Sequence, residues 1–504
     1  TYEKRFNDQH GLKILAGFNQ EEHNSSWFGA ARNGHLSNSV QVLDVGLAST
    51  ATNYGSRTEW GLRSYFGRVN YDFRDKYLFE ANVRFDGSSR FANDKWGTFP
   101  SFSVGWVLSN ENFFSNVGVV DFLKLRASWG QLGNQNIGNF AYARALSLNQ
   151  SYNFGGTVVP GVGQTTLGNE DLTWETSTMT DIGIDLGIFK HLSLEADYYI
   201  RTTEDILFAV PISSLTGFTS QISNAATVEN KGWELMLNWD QSIGNFQYSI
   251  GGNVSHVTNE VVTLNPNIPG GEVDRRISGR RILTRGAPIN SFFGLEVEGI
   301  FQSEEEVTNA PDHSGLNSNF GPGDLRFRDA NGDGVINADD RVVLGWENPV
   351  WTYGINLNFR WKGLDLAVIF QGAADFYGYG SEELSDPFFN NAGLPNNWVD
   401  RWTPDNTDAS MPRLYFSNGP SNSITNEFFV YDRSYFRLKN LQIGYNFNVN
   451  NVFFTQARLF LNGSNLFTVT DFPYFDPERP AGADRGATGF PNIRVISVGA
   501  NLKF

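Results

Sequence analysis

The chain has 504 residues, 14% aromatics, 52 glycines and a mean hydropathy of −0.33, and no apolar run reaches about 18 residues, which excludes a helical membrane protein. A formal charge of −16, without any Lys/Arg cluster of the kind nucleic-acid binders use, excludes nucleic acid as a partner. Zero cysteines exclude a disulfide framework and any thiolate-held metal. Low hydropathy leaves a transmembrane β-barrel open, because every second strand residue of a barrel faces the lumen.

The clearest early element is a hairpin over 65–85. Tyr65, Gly67, Val69, Tyr71 and Phe73 share one strand face, Arg74-Asp75-Lys76 forms the turn, and Tyr77, Phe79, Ala81, Val83 and Phe85 return on that face. Segments 102–108 and 123–129 repeat the alternation, as does a hairpin over 182–200. Further strands are predicted at 233–239, 246–254, 353–361, 364–370, 441–447, 459–465 and 496–504. With weaker segments these make roughly fourteen to sixteen strands. None of the apolar faces in the two hairpins and in 102–108 and 123–129 carries a charge. An Arg or Lys at mid-membrane on a lipid face costs roughly 2–4 kcal/mol, so this absence is what lipid contact requires. The opposite faces carry Arg68, Asp72, Arg84, Lys124, Arg126, Asp181, Asp185 and Asp197, which read as a hydrated barrel wall with internal ion pairs.

A soluble sandwich would bury the same apolar face. Two features favour a barrel instead. Aromatics crowd the tight turns, as in interfacial girdles. Short turns also alternate with long polar connections at about 130–175, 203–228, 260–345, 372–432 and 467–491, far longer than compact domains favour. The expected fold is therefore all-β, a transmembrane antiparallel β-barrel with loops on the outside. The last strand, with Ile496, Val498, Ala500 and Leu502 on one face, reads either as a membrane strand or as an ordinary edge strand. Its pattern of Ser497, Gly499, Leu502 and Phe504 resembles the carboxy-terminal insertion signal of bacterial outer-membrane barrels.

Several runs resemble the C-terminal half of SusC/RagA-type TonB-dependent transporters of the Bacteroidota. They are Arg84-Phe-Asp-Gly-Ser-Ser-Arg-Phe91, Phe99-Pro-Ser-Phe-Ser-Val-Gly-Trp106, Leu123-Lys-Leu-Arg-Ala-Ser-Trp-Gly130 and Gly133-Asn-Gln-Asn-Ile-Gly138. Leu172-Thr-Trp-Glu-Thr176, Val228-Glu-Asn-Lys-Gly-Trp-Glu-Leu235 and Gly323-Asp-Leu-Arg-Phe-Arg-Asp-Ala-Asn-Gly-Asp-Gly334 follow. Arg401-Trp-Thr-Pro-Asp-Asn406, Pro412-Arg413, Asn465-Leu-Phe467 and Asp476-Pro-Glu478 complete the series, in order from about residue 60. The resemblance implies a 22-stranded, plugged barrel in the bacterial outer membrane, in contact with its lipid. It also implies import of a glycan or oligopeptide with energy relayed by TonB, under a SusD-like surface lipoprotein. The plug, the TonB-contacting segment and the first strands have no counterpart here, so the chain reads as the C-terminal portion of a longer polypeptide, its last strand pairing with a first strand not contained in it. A non-transporting scaffold within an envelope complex and a passive porin are the alternatives.

Asp329-Ala-Asn331-Gly-Asp333-Gly-Val335-Ile-Asn337-Ala-Asp-Asp340 has the spacing of an EF-hand-like Ca²⁺ loop. Asp329, Asn331, Asp333, the Val335 carbonyl, Asn337 through water and Asp340 are the candidate hard-oxygen ligands. Asp340 stands where such loops carry Glu, and no flanking helix is apparent. A loop of Asx turns that needs no metal is the other reading. Trp346, Trp351, Phe376, Tyr377, Tyr379, Trp398, Trp402 and Tyr415, in the long connections, either meet a sugar or lid protein or pack the loops together. Catalysis finds no support: His10, His23, His35, His191, His256 and His313 are scattered, and no nucleophile elbow is present.

Overall fold

The computed structural model describes residues 1–503 apart from 36, 38, 115–116, 265–274, 317–318, 381–384, 386, 389–392, 417–418, 420–423, 449–454, 474–475 and 479–491. Its main body is a 15-stranded antiparallel sheet in which spatial order equals sequence order. The strands are β1 (Tyr2–Phe6), β2 (His10–Ala31), β3 (Thr52–Phe73), β4 (Tyr77–Ser88) and β5 (Trp96–Val107). Next come β6 (Val120–Asn134), β7 (Glu175–Ile188), β8 (Leu192–Glu204), β9 (Ala226–Ile243) and β10 (Phe246–Leu264). β11 (Trp351–Trp361), β12 (Leu364–Ala374), β13 (Tyr435–Asn448), β14 (Gln456–Thr470) and β15 (Val495–Lys503) complete the meander. Among the described residues β1 and β15 do not pair with each other.

Turn chemistry sets the hairpins. Asn7-Asp8, Arg74-Asp75 and Phe189-Lys190 each place two consecutive residues in the left-handed region, with φ between 51° and 61°. That geometry matches the right-handed twist of the paired strands. The register then aligns the apolar faces across strands. Tyr71 pairs with Phe79, Phe79 with Val104, Val104 with Ala127 and Ala127 with Ile182. Farther round, Leu366 pairs with Ile443, Ile443 with Leu461 and Leu461 with Val498. These rows form a continuous exposed apolar band, to which Phe79, Val104, Ile182, Ile443, Leu461 and Val498 contribute. An exposed patch of that extent on a folded protein marks contact with lipid or another apolar partner.

At the short-turn end the band finishes in stacked rings: Tyr77 on Trp106 at 6.2 Å between centroids and Phe246 on Phe359 at 6.2 Å. Glu111 ties this rim together, accepting from Lys76 Nζ (2.9 Å), Tyr77 Oη (2.7 Å) and Trp106 Nε1 (3.2 Å).

The long connections fold into small sheets at the other end. Residues 275–278, 281–284, 291–294 and 342–346 make one of four strands, and pairs form between 146–154 and 157–164, 207–211 and 220–224, 297–300 and 325–327, and 377–379 and 430–432. The molecule's core sits here rather than inside the sheet. Leu295, Leu325, Phe327 and Ile336 form one buried cluster, Phe292, Tyr379, Trp398, Met411 and Phe429 a second, and Phe91, Phe99, Ile137, Leu172 and Trp174 a third.

Candidate functional site

The inner sheet face is polar and internally paired. Arg126 bonds Asp185 (2.9 Å) and Asp197 and lies 3.6 Å from Asp181, while Lys124 reaches Asp185 at 3.3 Å. Asn70 and Asn82 both donate to Glu80, and Asn82 accepts from Arg68. Farther round, Arg458 holds Asp365 at 2.5 Å. These cross-strand pairs give the expected hydrated wall, with Lys124, Arg126, Asp181, Asp185 and Asp197 brought into one network.

At the loop end, motifs distant in sequence close on one another. Asp324 is fully buried and accepts from Arg413 Nη2 (2.5 Å), from Tyr415 Oη (3.0 Å) and from the Gly321 N–H (3.0 Å). Burial pushes its carboxyl above the ordinary Asp range despite these donors. Arg437, 3% exposed at its side chain, bonds Asp476 (2.7 Å) and Glu478 (2.5 Å), and Lys439 joins at 2.7 Å. Arg90 donates to the Gln135 carbonyl (3.1 Å) and to Asn139 (3.0 Å). The loop aromatics serve mainly to pack. Trp398, Phe376, Tyr379 and Trp402 are buried, Trp402 Nε1 donates to Gln302, and Trp346 meets Tyr377 edge-on at 5.7 Å.

In the Asp329–Asp340 loop, Asp329 accepts the N–H groups of Gly332 (2.7 Å) and Gly334 (2.8 Å), both glycines having positive φ. Asn331 accepts from the Asp333 N–H, Asp333 from the Val335 N–H and Asn337 from the Asp339 N–H. Asp340 accepts from the Ala330 (3.0 Å) and Asn337 (2.7 Å) N–H groups. The Gly334 N–H, with its neighbours, holds the Asp329 carboxyl below the usual range. Among the described residues no three His, Asp or Glu side chains converge as a metal cluster. An ionised carboxylate has about four lone-pair sites, so the filled turns leave oxygen lone pairs free.

β15 carries the terminal residues. Ser497 pairs with Asn462, Gly499 with Phe460 and Leu502 with Ala457, while Phe504 lies outside the described residues. A Cβ at Gly499 would sit 2.3 Å from the Phe460 ring, so glycine is what lets that ring lie across the strand.

A cavity of about 920 Å³ lies between the outer ends of β7–β10 and the loop assembly. Arg201, Asn230 and Asn259 form a cross-strand row on its floor, and a hairpin carrying Arg276 and Arg280, with Tyr379 behind it, roofs it. Sequence reasoning missed this site. The run Arg275-Arg276-Ile-Ser-Gly-Arg280-Arg281 was its available signal, a local basic cluster in an acidic chain.

His313, 5% exposed, offers a titratable probe of the loop core. Its Nδ1–H donates to the Pro311 carbonyl (2.7 Å) and its Nε2 accepts the Phe327 N–H (3.1 Å), so it is neutral. Burial lowers its pKa, with Arg326 pushing the same way and Asp312 and Asp324 opposing. A depressed folded pKa contributes stability that is complete above the unfolded value near pH 6.5 and is lost as the pH falls toward the folded one. Hydrogen-exchange protection of the Phe327 amide should therefore fall by up to about tenfold per pH unit below about pH 6.5, and His313→Gln should flatten that dependence.

The family model described as "TonB dependent receptor-like, beta-barrel" matches residues 1–466. TonB-dependent receptor P3 of Formosa agariphila is 34% identical over 535 residues, covering 100% of this chain and 51% of that protein. SusC of Bacteroides thetaiotaomicron is 29% identical, covering 82% of this chain and 41% of its own length. The solved RagAB peptide transporter superposes with a TM-score of 0.84 at 26% identity, covering 100% of this chain and 54% of the matched one. The chain thus spans about half the length of these relatives, which are receptors and transporters rather than enzymes. The chain belongs to the TonB-dependent receptor-like β-barrel family of the bacterial outer membrane.

Proposed function

We propose that the complete protein is a TonB-dependent importer of an oligomeric nutrient, a glycan or oligopeptide, working beneath a SusD-like surface lipoprotein. In this reading the chain supplies residues 1–504 of the barrel, with the short turns toward the periplasm and the long connections outside. Strands and a plug from the rest of the polypeptide join the edges left by β1 and β15. Ser497, Gly499, Leu502 and Phe504 act as the assembly signal, and membrane assembly of a version lacking Phe504 is its readout.

The observation that carries this reading is the loop assembly. Connections of this length hold two buried clusters of their own and share a third with Phe99 of β5, a preformed outer structure that a bare diffusion pore does not need. Likeness to SusC and to the RagAB peptide transporter supports it. In cells, uptake of the cognate oligomer should vanish when either this receptor or TonB is deleted, and an affinity-purified receptor should bring down one surface lipoprotein in equal amount. Steady conductance of the full-length protein in planar bilayers without TonB would point instead to a porin. Recovery with envelope machinery and no lipoprotein would point to a scaffold.

We also propose a structural Ca²⁺ in the Asp329–Asp340 loop, held by Asp329, Asn331, Asp333, the Val335 carbonyl, Asn337 through water and Asp340. Its support is the hard-oxygen donor chemistry and spacing. Millimolar Ca²⁺ should protect the 329–340 segment of the full-length receptor from proteolysis, and Asp333→Ala should abolish that protection while leaving Asp340 to close the turn. Equal cleavage with Ca²⁺ and with chelator would leave the loop as a metal-free set of Asx turns.

A further inference from the structure

In a chain of net charge −16, four arginines fall within the seven residues 275–281. Residues 275–278 pair with 281–284 in a tight hairpin whose turn is Gly279-Arg280, with Gly279 at φ +58°. This fold sends Arg276 and Arg280 to the cavity above the β7–β10 ends, where Arg201 rises from the floor. The Arg276 guanidinium lies 5.4 Å over the Phe208 ring and that of Arg280 4.7 Å over Tyr379. Stacking holds a guanidinium flat; Arg280 also shares a side-chain hydrogen bond with Tyr379, and the remaining N–H groups of such a fork suit a planar, bidentate acceptor.

None of these three arginines forms an ion pair among the described residues. Among the described residues the one carboxylate in the lining is Glu175, and its oxygens already accept from Asn134 Nδ2 (3.0 Å) and the Leu207 N–H (3.2 Å). Asn230 and Asn259 are bonded to each other, and Asn259 Oδ1 also accepts the Ile289 N–H. Among the described residues this leaves Arg201, Arg276 and Arg280 as cations with no carboxylate partner, beside an apolar strip of Phe208, Val228, Ile282 and Ile289. A neutral sugar would leave the positive charge of this lining unmatched. Carboxylates on a chain that also carries apolar side chains suit it better.

We propose that this cavity is a subsite for the carboxylates of an acidic oligopeptide, which deepens the importer reading and rests on it. Its test uses the full-length receptor in detergent and calorimetry with a pentapeptide containing two Glu, the same peptide with Gln, and tetragalacturonate. The Glu peptide should bind at least about tenfold tighter than the Gln peptide at low salt, with the preference shrinking as salt screens it. The double variant Arg276→Gln/Arg280→Gln should bring Glu-peptide and Gln-peptide affinities to within about twofold of each other. Arg280→Glu should weaken the Glu peptide and favour a Lys-containing counterpart, a gain that misfolding cannot produce. Equal binding of Glu and Gln peptides by the native receptor would overturn the proposal, as would tighter binding of tetragalacturonate, which would assign the arginines to an acidic glycan. TonB-dependent uptake of neutral oligomers in cells separates the two failures: if it persists, the importer reading stands and only the subsite falls.

Discussion

The constraint on which this structure depends is that backbone N–H and C=O groups inside hydrocarbon must bond to one another, since no water is there to accept or donate. A meander of antiparallel neighbours meets that demand with short connections. It also dictates the side-chain code: one face of every strand meets lipid and the other a watery interior. The band from Tyr71 through Phe79, Val104 and Ala127 to Ile182 is that code written across five strands. A single sheet of this kind has no second layer to pack against, so the chain builds most of its buried apolar clusters in its connections and against the strand ends they cover.

Those connections need their own devices to stay folded. Much of what marks the family in sequence is spent on polar locks between loops. Asp324 and Arg413 lie 89 residues apart and meet as a fully buried carboxylate and a partly buried guanidinium, and Arg437 on β13 gathers Asp476 and Glu478 from the last connection. A buried pair adds little net stability because both ions lose hydration. Removing one partner strands the other and typically costs about 3–5 kcal/mol. Such pairs therefore specify one loop arrangement more than they strengthen it. Arg276 and Arg280 depart from that pattern, because they stack on rings and meet no carboxylate among the described residues, whereas Arg281 of the same hairpin pairs with Glu347.

Much of the sheet was legible in sequence. The hairpin over 65–85 emerges as β3 and β4 with the turn at Arg74-Asp75-Lys76. What escaped was the β1–β2 hairpin. β2 has 22 residues, roughly 70 Å at the usual rise, about twice the hydrocarbon thickness. Its outer half leaves the lipid, the alternation is no longer enforced, and Asn19 to Ser26 are polar on both faces. Contacts such as Asp324 with Arg413 escaped for a different reason, since pattern reading reports local periodicity and not pairing across 89 residues. The loop aromatics were ambiguous because a Trp that packs a loop and a Trp that meets a ligand look alike until burial is known. The Arg275–Arg281 run was visible, but only its placement over the β7–β10 ends made it a cavity wall.

The described residues divide the labour three ways: an apolar outer face, a polar, internally paired inner face, and a folded assembly of long connections at one end. The central claim is the two-faced wall; residues 1–504 hold no cysteine, so thiols placed on it are read against a background in which any other cysteine of the full-length receptor is replaced by serine. Single cysteines at Ser101, Ser103 and Ser128 on the inner face, and at Phe102, Val104 and Ala127 on the outer, can be probed in full-length receptor in intact outer membranes with a small water-soluble thiol reagent. The account predicts modification at the three serine positions and protection at the three apolar ones, alternating residue by residue along β5 and β6. Equal labelling of neighbouring positions, or protection on the serine face alone, would contradict it.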